Sequence, residues 1–222
     1  MTRRLPIVLA TLAIALFSLS IELARAQEPD ARQIAQERRQ AELDAPKLVA
    51  ILGLEPGMTV ADVGSGGGAM TVVLGRWIGE GHIFATDITE AALRETREYA
   101  KKEGLTNVTV IEGGAATTNL PADCCDAVFL RGVYHHIGAL DDFNRSLFAS
   151  LKPGGRLAII DFPPSAGEEV PAGVPANRGG HGVPAVLVVQ EMQQAGFRHL
   201  KTIEPWPPAN RRTSSFLALF QK

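Results

Sequence analysis

From residue 44 onward, apolar positions come in short unbroken runs separated by amphipathic stretches, and the two kinds alternate. Residues 58–63, 82–87, 108–111, 126–130 and 156–162 read as strands, and 69–78, 90–103 and 141–151 as helices, the second stopped by Gly104. The runs Ala127-Val128-Phe129-Leu130 and Leu157-Ala158-Ile159-Ile160 predict burial on both faces of a sheet. Such alternation predicts a parallel sheet covered by helices, with right-handed connections. A helix over 184–195 ends at Gly196, and two more strand-like runs follow at 197–203 and 214–220. Only about ten residues separate these two, fewer than a parallel crossover needs, so they predict an antiparallel hairpin.

The beginning of the chain has a different pattern. Arg3 and Arg4 precede an uncharged run, 5–21, which is followed by Ala24-Arg25-Ala26. A charged start, an apolar middle and an A-x-A site are the layout of a secretory signal peptide cut after Ala26, and predict export to the periplasm. The alternatives are an uncleaved membrane anchor through residues 5–21, since a span takes about 17–25 apolar residues, or a misplaced start. Residues 28–41 are polar and predict a surface helix or arm. Asp44 is placed to cap, and Pro46 to sit just inside, a second helix over 45–52 that Gly53 ends. The expected organisation is therefore a 1–26 leader, a 27–43 arm and a 44–222 domain.

Composition narrows the partners. The formal net charge is −2 over 222 residues, with no long basic run, so nucleic acid is not favoured. Without the leader, about 195 residues suit one domain with a sizeable core. Cys124 and Cys125 are adjacent. Neighbouring residues rarely satisfy disulfide geometry, so both are expected to be unbridged, small apolar strand residues.

The candidate chemistry starts at Val60-Ala61-Asp62-Val63-Gly64-Ser65-Gly66-Gly67-Gly68-Ala69, a strand that runs into glycines and then a helix. Such a turn brings bare backbone N–H groups against a ligand. The next strand ends in Asp87, where an acid can accept hydrogen bonds from both hydroxyls of a ribose. A nucleoside-containing cofactor in a Rossmann-like cleft is expected. The glycines alone fit either a dinucleotide G-x-G-x-x-A fingerprint or a G-x-G-x-G motif preceded by an acid.

Three further features separate the two. Leu151-Lys152-Pro153-Gly154-Gly155-Arg156-Leu157, the segment from Asp126 through Tyr134-His135-His136 to Ile137, and the closing hairpin together resemble the class I S-adenosylmethionine-dependent methyltransferases. The resemblance runs from about residue 44 to the C-terminus and is nearest the group acting on small molecules. It implies an α/β, Rossmann-like three-layer sandwich with a mostly parallel seven-stranded sheet whose last strand is antiparallel. It also implies S-adenosyl-L-methionine as cofactor and a small-molecule acceptor. By position, Asp62, Gly64, Gly66 and Gly68 would hold the methionine end, Asp87 the ribose and Ile88 the adenine, with Ala115 and Arg131 completing the set. The family's acid near the adenine amine is replaced here by Gly114. That replacement and the export signal keep a non-catalytic binding or scaffolding domain as an alternative. A nicotinamide-dependent oxidoreductase is the third reading; it lacks a Tyr-x-x-x-Lys pair and would require a parallel final strand.

Methyl transfer needs orientation above all, and for some acceptors a base. His135 and His136 follow the fourth strand, at the sheet edge where ligands bind. His181 lies in the Pro- and Gly-rich stretch 163–184, read as a loop over the cleft, with Arg178 and His181 in a mobile lid. These three histidines are the candidate bases or acceptor contacts; the competing reading is that Tyr134-His135-His136 shapes the loop beside the cofactor. His82 and His199 fall on strand edges and read as structural. Asp161 is expected to touch substrate or cap the loop, and Trp206 to cover an acceptor or pack in the core. No spacing of histidines with carboxylates argues for a metal.

Overall fold

The computed structural model describes residues 31–165, 167–206 and 215–222. The expected leader, 1–26, lies outside the described residues, as does Ser214 at the start of the last expected strand. The chain divides into two units, Met1–Glu37 and Arg38–Lys222. In the first, residues 31–37 are helical, and Gln33 Nε2 donates to Glu37 Oε1 over 3.0 Å. Among the described residues no helix is long and apolar enough to cross a membrane.

Helix α1 is continuous over Ala31–Leu52 and carries Pro46 in its interior. The expected break at Asp44 is therefore absent. Pro46 removes one intrahelical hydrogen bond, a cost of about 3 kcal/mol in an isolated helix. Ala41, Ala45, Leu48 and Leu52, at helical spacing, are all buried and share one core cluster. Burial of that stripe outweighs the local capping preference.

The second unit then alternates as the pattern predicts: β1 (Thr59–Val63), α2 (Ala69–Trp77), β2 (His82–Asp87), α3 (Glu90–Lys102), β3 (Val108–Glu112), β4 (Cys125–Arg131), α4 (Leu140–Ser150), β5 (Leu151–Asp161), α5 (Ala185–Gln194), β6 (Arg198–Ile203) and β7 (Phe216–Gln221). The sheet has seven strands in the order β3-β2-β1-β4-β5-β7-β6. All neighbours are parallel except β7, which runs antiparallel to both β5 and β6. The hairpin is thus as expected, and the parallel last strand that an oxidoreductase reading required is not found.

Strand periodicity divides the core between the two faces. Val60, Phe129, Ala158, Ile160, Leu217 and Leu219 pack with residues of α1 and α2. The alternate residues Ala61, Val63, Val128, Leu130, Leu157, Ile159, Phe216 and Phe220 pack with Phe143, Leu147, Val188 and Met192 of α4 and α5. Both faces are therefore apolar, and helices cover both, giving the three layers expected. Trp206 joins the first cluster and is buried, so it packs in the core.

Two local expectations are corrected. The segment Lys152-Pro153-Gly154-Gly155, which falls between the helix expected over 141–151 and the strand expected over 156–162, lies inside β5, and the register with β4 slips from Cys125↔Leu151 to Ala127↔Arg156. The surplus residues on β5 are accommodated as an irregularity, where the left-handed Gly154 (φ 81°) fits. Cys124 and Cys125 are joined in a disulfide at a Cα–Cα distance of 3.7 Å. The peptide link fixes consecutive Cα atoms about 3.8 Å apart, below the usual range for bridges, so the two sulfurs meet across a single peptide unit.

Candidate functional site: a cleft at the reversal of strand order

Strand order runs outward from β1 through β2 to β3 on one side and from β4 onward on the other. The carboxyl ends of β1 and β4 therefore diverge, and ligands of open parallel sheets bind at such a reversal. A cavity of about 570 Å³ lies there, lined by Gly64, Gly66, Asp87, Ile88, Gly114, Ala115, Arg131, Val133, His136, Ile137 and Phe143 among others.

The glycine turn is held to the neighbouring strand. Gly64 and Ser65 both donate their backbone N–H to the Thr86 carbonyl, at 2.8 and 2.9 Å. Gly66 N–H donates to Asp87 Oδ2 at 3.0 Å. Gly64 has φ 77°, and a Cβ there would come within 2.3 Å of Val133 Cγ2, so only glycine fits. A Cβ on Gly66 would meet nothing within 4 Å. Gly68 is different: it is the left-handed N-cap of α2, a Cβ there would strike Thr96, and it does not line the cavity. Its lack of a side chain lets α2 pack closely on α3.

The acids also differ in position. Asp87 Oδ1 accepts from both the backbone N–H and the hydroxyl of Thr89, each at 3.0 Å, and Thr89 in turn caps α3. Asp87 thus braces the glycine turn and the helix start while facing the cavity. Ile88 is 67% exposed at the cavity wall, an apolar face open to a flat ring. Asp62 is buried and does not line the cavity. It accepts the Thr71 hydroxyl at 2.6 Å, and desolvation pushes its pKa up to about 6, against the lowering influence of Thr71 and Arg131.

Arg131 lines the cavity with its Nη1 3.6 Å from Asp44 Oδ2. The same oxygen accepts from Gln40 Nε2 at 3.2 Å, and burial raises the pKa of Asp44. Asp44 was expected only as a cap. Its signal in the sequence was a lone acid within the apolar stripe of α1, an expensive place for a carboxyl unless something uses it.

The histidines converge from two loops. His135 and His136 stand in a short 3₁₀ turn (Tyr134–His136) after β4, and His181 follows a second one (Ala176–Arg178). Ring centroids of His135 lie 3.9 Å from His136 and 4.8 Å from His181. His136 is the one that lines the cavity; partial burial and the two neighbouring imidazoles hold its pKa below the usual histidine value. His135 is buried, with Nδ1 2.8 Å from Asp161 Oδ1 and its backbone N–H donating to Asp161 Oδ2 at 3.1 Å. Asp161 is 1% exposed and also accepts the Phe162 N–H. It supports His135 and does not line the cavity. His82 and His199 contact Thr109 and Thr202, outside the cavity lining, as expected.

Arg178 corrects the lid expectation. Its side chain is fully buried and paired with Glu191 of α5 at 2.9 Å. Glu191 also accepts the Tyr134 hydroxyl at 2.9 Å, and Asn144 Nδ2 donates to that hydroxyl at 3.0 Å. Burial and the Glu191 charge raise the Tyr134 pKa. Arg178 is thus an anchor that ties the 163–184 loop to the turn carrying His135. Sequence spacing could not show this, because Tyr134, Arg178 and Glu191 are joined only by the fold.

Comparison with known proteins places this geometry. A family described as "Methyltransferase domain" matches residues 54–194. The ubiquinone/menaquinone biosynthesis C-methyltransferase UbiE of Vibrio vulnificus is 33% identical over 112 residues, 50% of this chain and 43% of that protein. The chain therefore spans less than half the length of that curated relative. A SAM dependent methyltransferase from Aquifex aeolicus has a similar structure, with a TM-score of 0.66 and 26% identity, over 87% of this chain and 99% of that one. Phosphoethanolamine N-methyltransferase 2 from Haemonchus contortus, solved in complex with S-adenosyl-L-methionine, shares the fold at a TM-score of 0.65 and 14% identity, over 82% and 52%. Matched over more than half of its length by the family, and built on a sheet shared with solved methyltransferases, the chain belongs to the Methyltransferase domain family.

Proposed function

We propose that the chain binds S-adenosyl-L-methionine and transfers its methyl group to a small-molecule acceptor. One observation carries this reading: a bare-backbone turn at Gly64 and Gly66, strapped to Asp87, forms one wall of a cavity at the strand-order reversal. The residues present fit the cofactor. The open space beside Gly66 admits a ligand against the backbone, Asp87 offers a carboxylate to two ribose hydroxyls, and Ile88 offers an apolar face to adenine. Asp62, buried with a pKa of about 6, supplies a negative field behind Gly64 for the methionine ammonium, and Arg131 faces its carboxylate.

Bound there, the cofactor supplies a methyl carbon already activated by its sulfonium. The chain's work is to orient the acceptor in line with that carbon and exclude water, which can be worth roughly 7–11 kcal/mol. The wall from Val133 through Ile137 to Phe143 is apolar, and His136 is the histidine it offers to an acceptor. Asp87 already accepts three hydrogen bonds, and a carboxylate has about four acceptor sites. Taking both ribose hydroxyls therefore displaces one internal donor, and the Thr89 hydroxyl is the most readily spared.

Similarity to named C-methyltransferases supports methyl transfer as the activity, with the acceptor open. Gly114 favours a second reading, binding without turnover, because the adenine amine meets no acid there. Titration calorimetry with S-adenosylmethionine and its demethylated product tests both. Binding of both ligands, with methyl transfer from labelled cofactor to an extract of small molecules, is the expected result. Binding without transfer selects the second reading, and no binding of either ligand removes both.

We further propose export with cleavage after Ala26. The Arg3-Arg4 start, the apolar run and the A-x-A site support it. N-terminal mass spectrometry of the protein from an envelope fraction tests it: a mature start at Gln27 is expected, and an intact Met1 overturns it.

A further inference from the structure

Two of the three clustered histidines are prepared in the same way. His135 presents Nδ1 to Asp161 at 2.8 Å, and His181 presents Nδ1 to Glu168 at 3.2 Å. A carboxylate on Nδ1 fixes the tautomer with its proton there and leaves Nε2 with a free lone pair, the arrangement that orients histidines toward metals. For His135 the consequence is visible. Its side chain is 2% exposed, and its Nε2 is buried with no hydrogen-bond partner. A buried lone pair without a partner costs free energy, so it points to a missing ligand. One ring nitrogen of each of His135, His136 and His181 lies within 4.8 Å of the other two.

We propose that His135, His136 and His181 form a binding site for a divalent transition metal at the acceptor side of the cavity, with Asp161 and Glu168 as positioning residues. Three imidazoles suit zinc, iron, nickel or copper better than magnesium or calcium. A tetrahedral ion with metal–nitrogen bonds of about 2.0–2.1 Å holds its nitrogens about 3.3 Å apart, so the cluster tightens by about an ångström or more on loading. His135 is the fixed member, held by Asp161 and by the neighbouring Tyr134–Glu191–Arg178 network. His136 at the cavity wall and His181 each keep a solvent-facing edge, and both would swing inward on loading. The main chain around His181 is pinned by its carbonyl, which accepts the Ser165 N–H at 3.1 Å.

Three protein ligands leave a tetrahedral ion one open position, which is how catalytic rather than structural sites are built. His136 lines the cavity, so that position opens toward the acceptor. An acceptor oxygen bound there would be oriented and made easier to deprotonate. This role rests on the methyl-transfer reading; the metal site itself does not.

The test uses the full chain without a histidine tag, stripped by chelator and titrated with Co²⁺. One equivalent and a visible ligand-field band are expected, with competition by Zn²⁺. His181→Ala, at a partly exposed position, is expected to weaken Co²⁺ at least tenfold and change the band. Asp161→Asn is expected to weaken it about 10–100-fold while the three-nitrogen band persists, and His199→Ala to change nothing. Absence of a stoichiometric band, or equal Co²⁺ affinity in the parent and His181→Ala, overturns the site. Calorimetry with S-adenosylmethionine on the same samples keeps the two readings apart. Metal uptake without cofactor binding leaves the site standing and defeats the methyl-transfer reading; cofactor binding without metal uptake does the opposite.

Discussion

Asp87 Oδ2 receives the backbone N–H of Gly66 over 3.0 Å, so the acid at the tip of β2 holds the glycine turn after β1 in place. Recognition of a sugar and the shape of the turn beside it thus depend on one carboxylate. Asp87→Ala is expected to weaken S-adenosylmethionine by about 1–3 kcal/mol, the usual cost of leaving hydrogen-bonding groups unpaired. Calorimetry reads this directly, and an unchanged affinity would take Asp87 out of the site.

Asp62 makes stability depend on pH. Its folded pKa of about 6 lies above the ordinary 3.8, so the folded chain holds this proton more tightly than the unfolded chain does. The associated stability is present below pH 3.8 and is lost as pH rises through about 6. Ionised at neutral pH, the buried group costs on the order of 3 kcal/mol. Asp62→Asn is therefore expected to melt higher than the parent at pH 7–8, with the gain shrinking towards pH 4. A gain that is flat across this range in thermal melts would contradict the assignment.

Gly64 and Gly66 are expected to separate fold from ligand. Gly64→Ala places a methyl within 2.3 Å of Val133 Cγ2 at φ 77° and should lose both stability, by about 1–3 kcal/mol, and cofactor binding. Gly66→Ala also carries backbone strain, at φ 52°, but its methyl enters open space at the cavity. Its binding loss should exceed its stability loss. Urea melts alongside calorimetry decide this, and equal loss of binding per unit of stability in both variants would count against a ligand at Gly66.

Arg178 is expected to matter for folding. Arg178→Ala leaves Glu191 and the Tyr134 hydroxyl without their cation in a buried network, a loss of about 3–5 kcal/mol. Adding Glu191→Gln should restore part of it, because the stranded charge is then gone. If urea denaturation shows the single variant within experimental error of the parent, the pair is not an anchor.

Much of this fold was legible in the sequence because it rests on local pattern. Unbroken apolar runs marked strands buried on two faces, and helical spacing between them implied a parallel sheet. A short gap implied the antiparallel β6–β7 pair. Gly64, Gly66 and Asp87 line the cavity because strand ends and the turn after β1 place them there, and Ile88, Ala115 and Arg131, which the family resemblance assigned, line it too.

What escaped the sequence depends on contacts between distant residues. Nothing local says that Pro46 continues a helix, because the burial of Ala41, Ala45 and Leu48 that offsets its cost comes from the sheet. Nothing local pairs Asp44 with Arg131, or Arg178 with Glu191. His135 and His181 are 46 positions apart, and only the return of the chain after β5 sets their rings 4.8 Å from each other. The sequence by itself determined the sheet, the turn and the acids at its edge, through periodicity and backbone permissiveness that act over a few residues. Tertiary structure alone decided which side chains are buried together, because desolvation and packing depend on neighbours that the linear order does not specify.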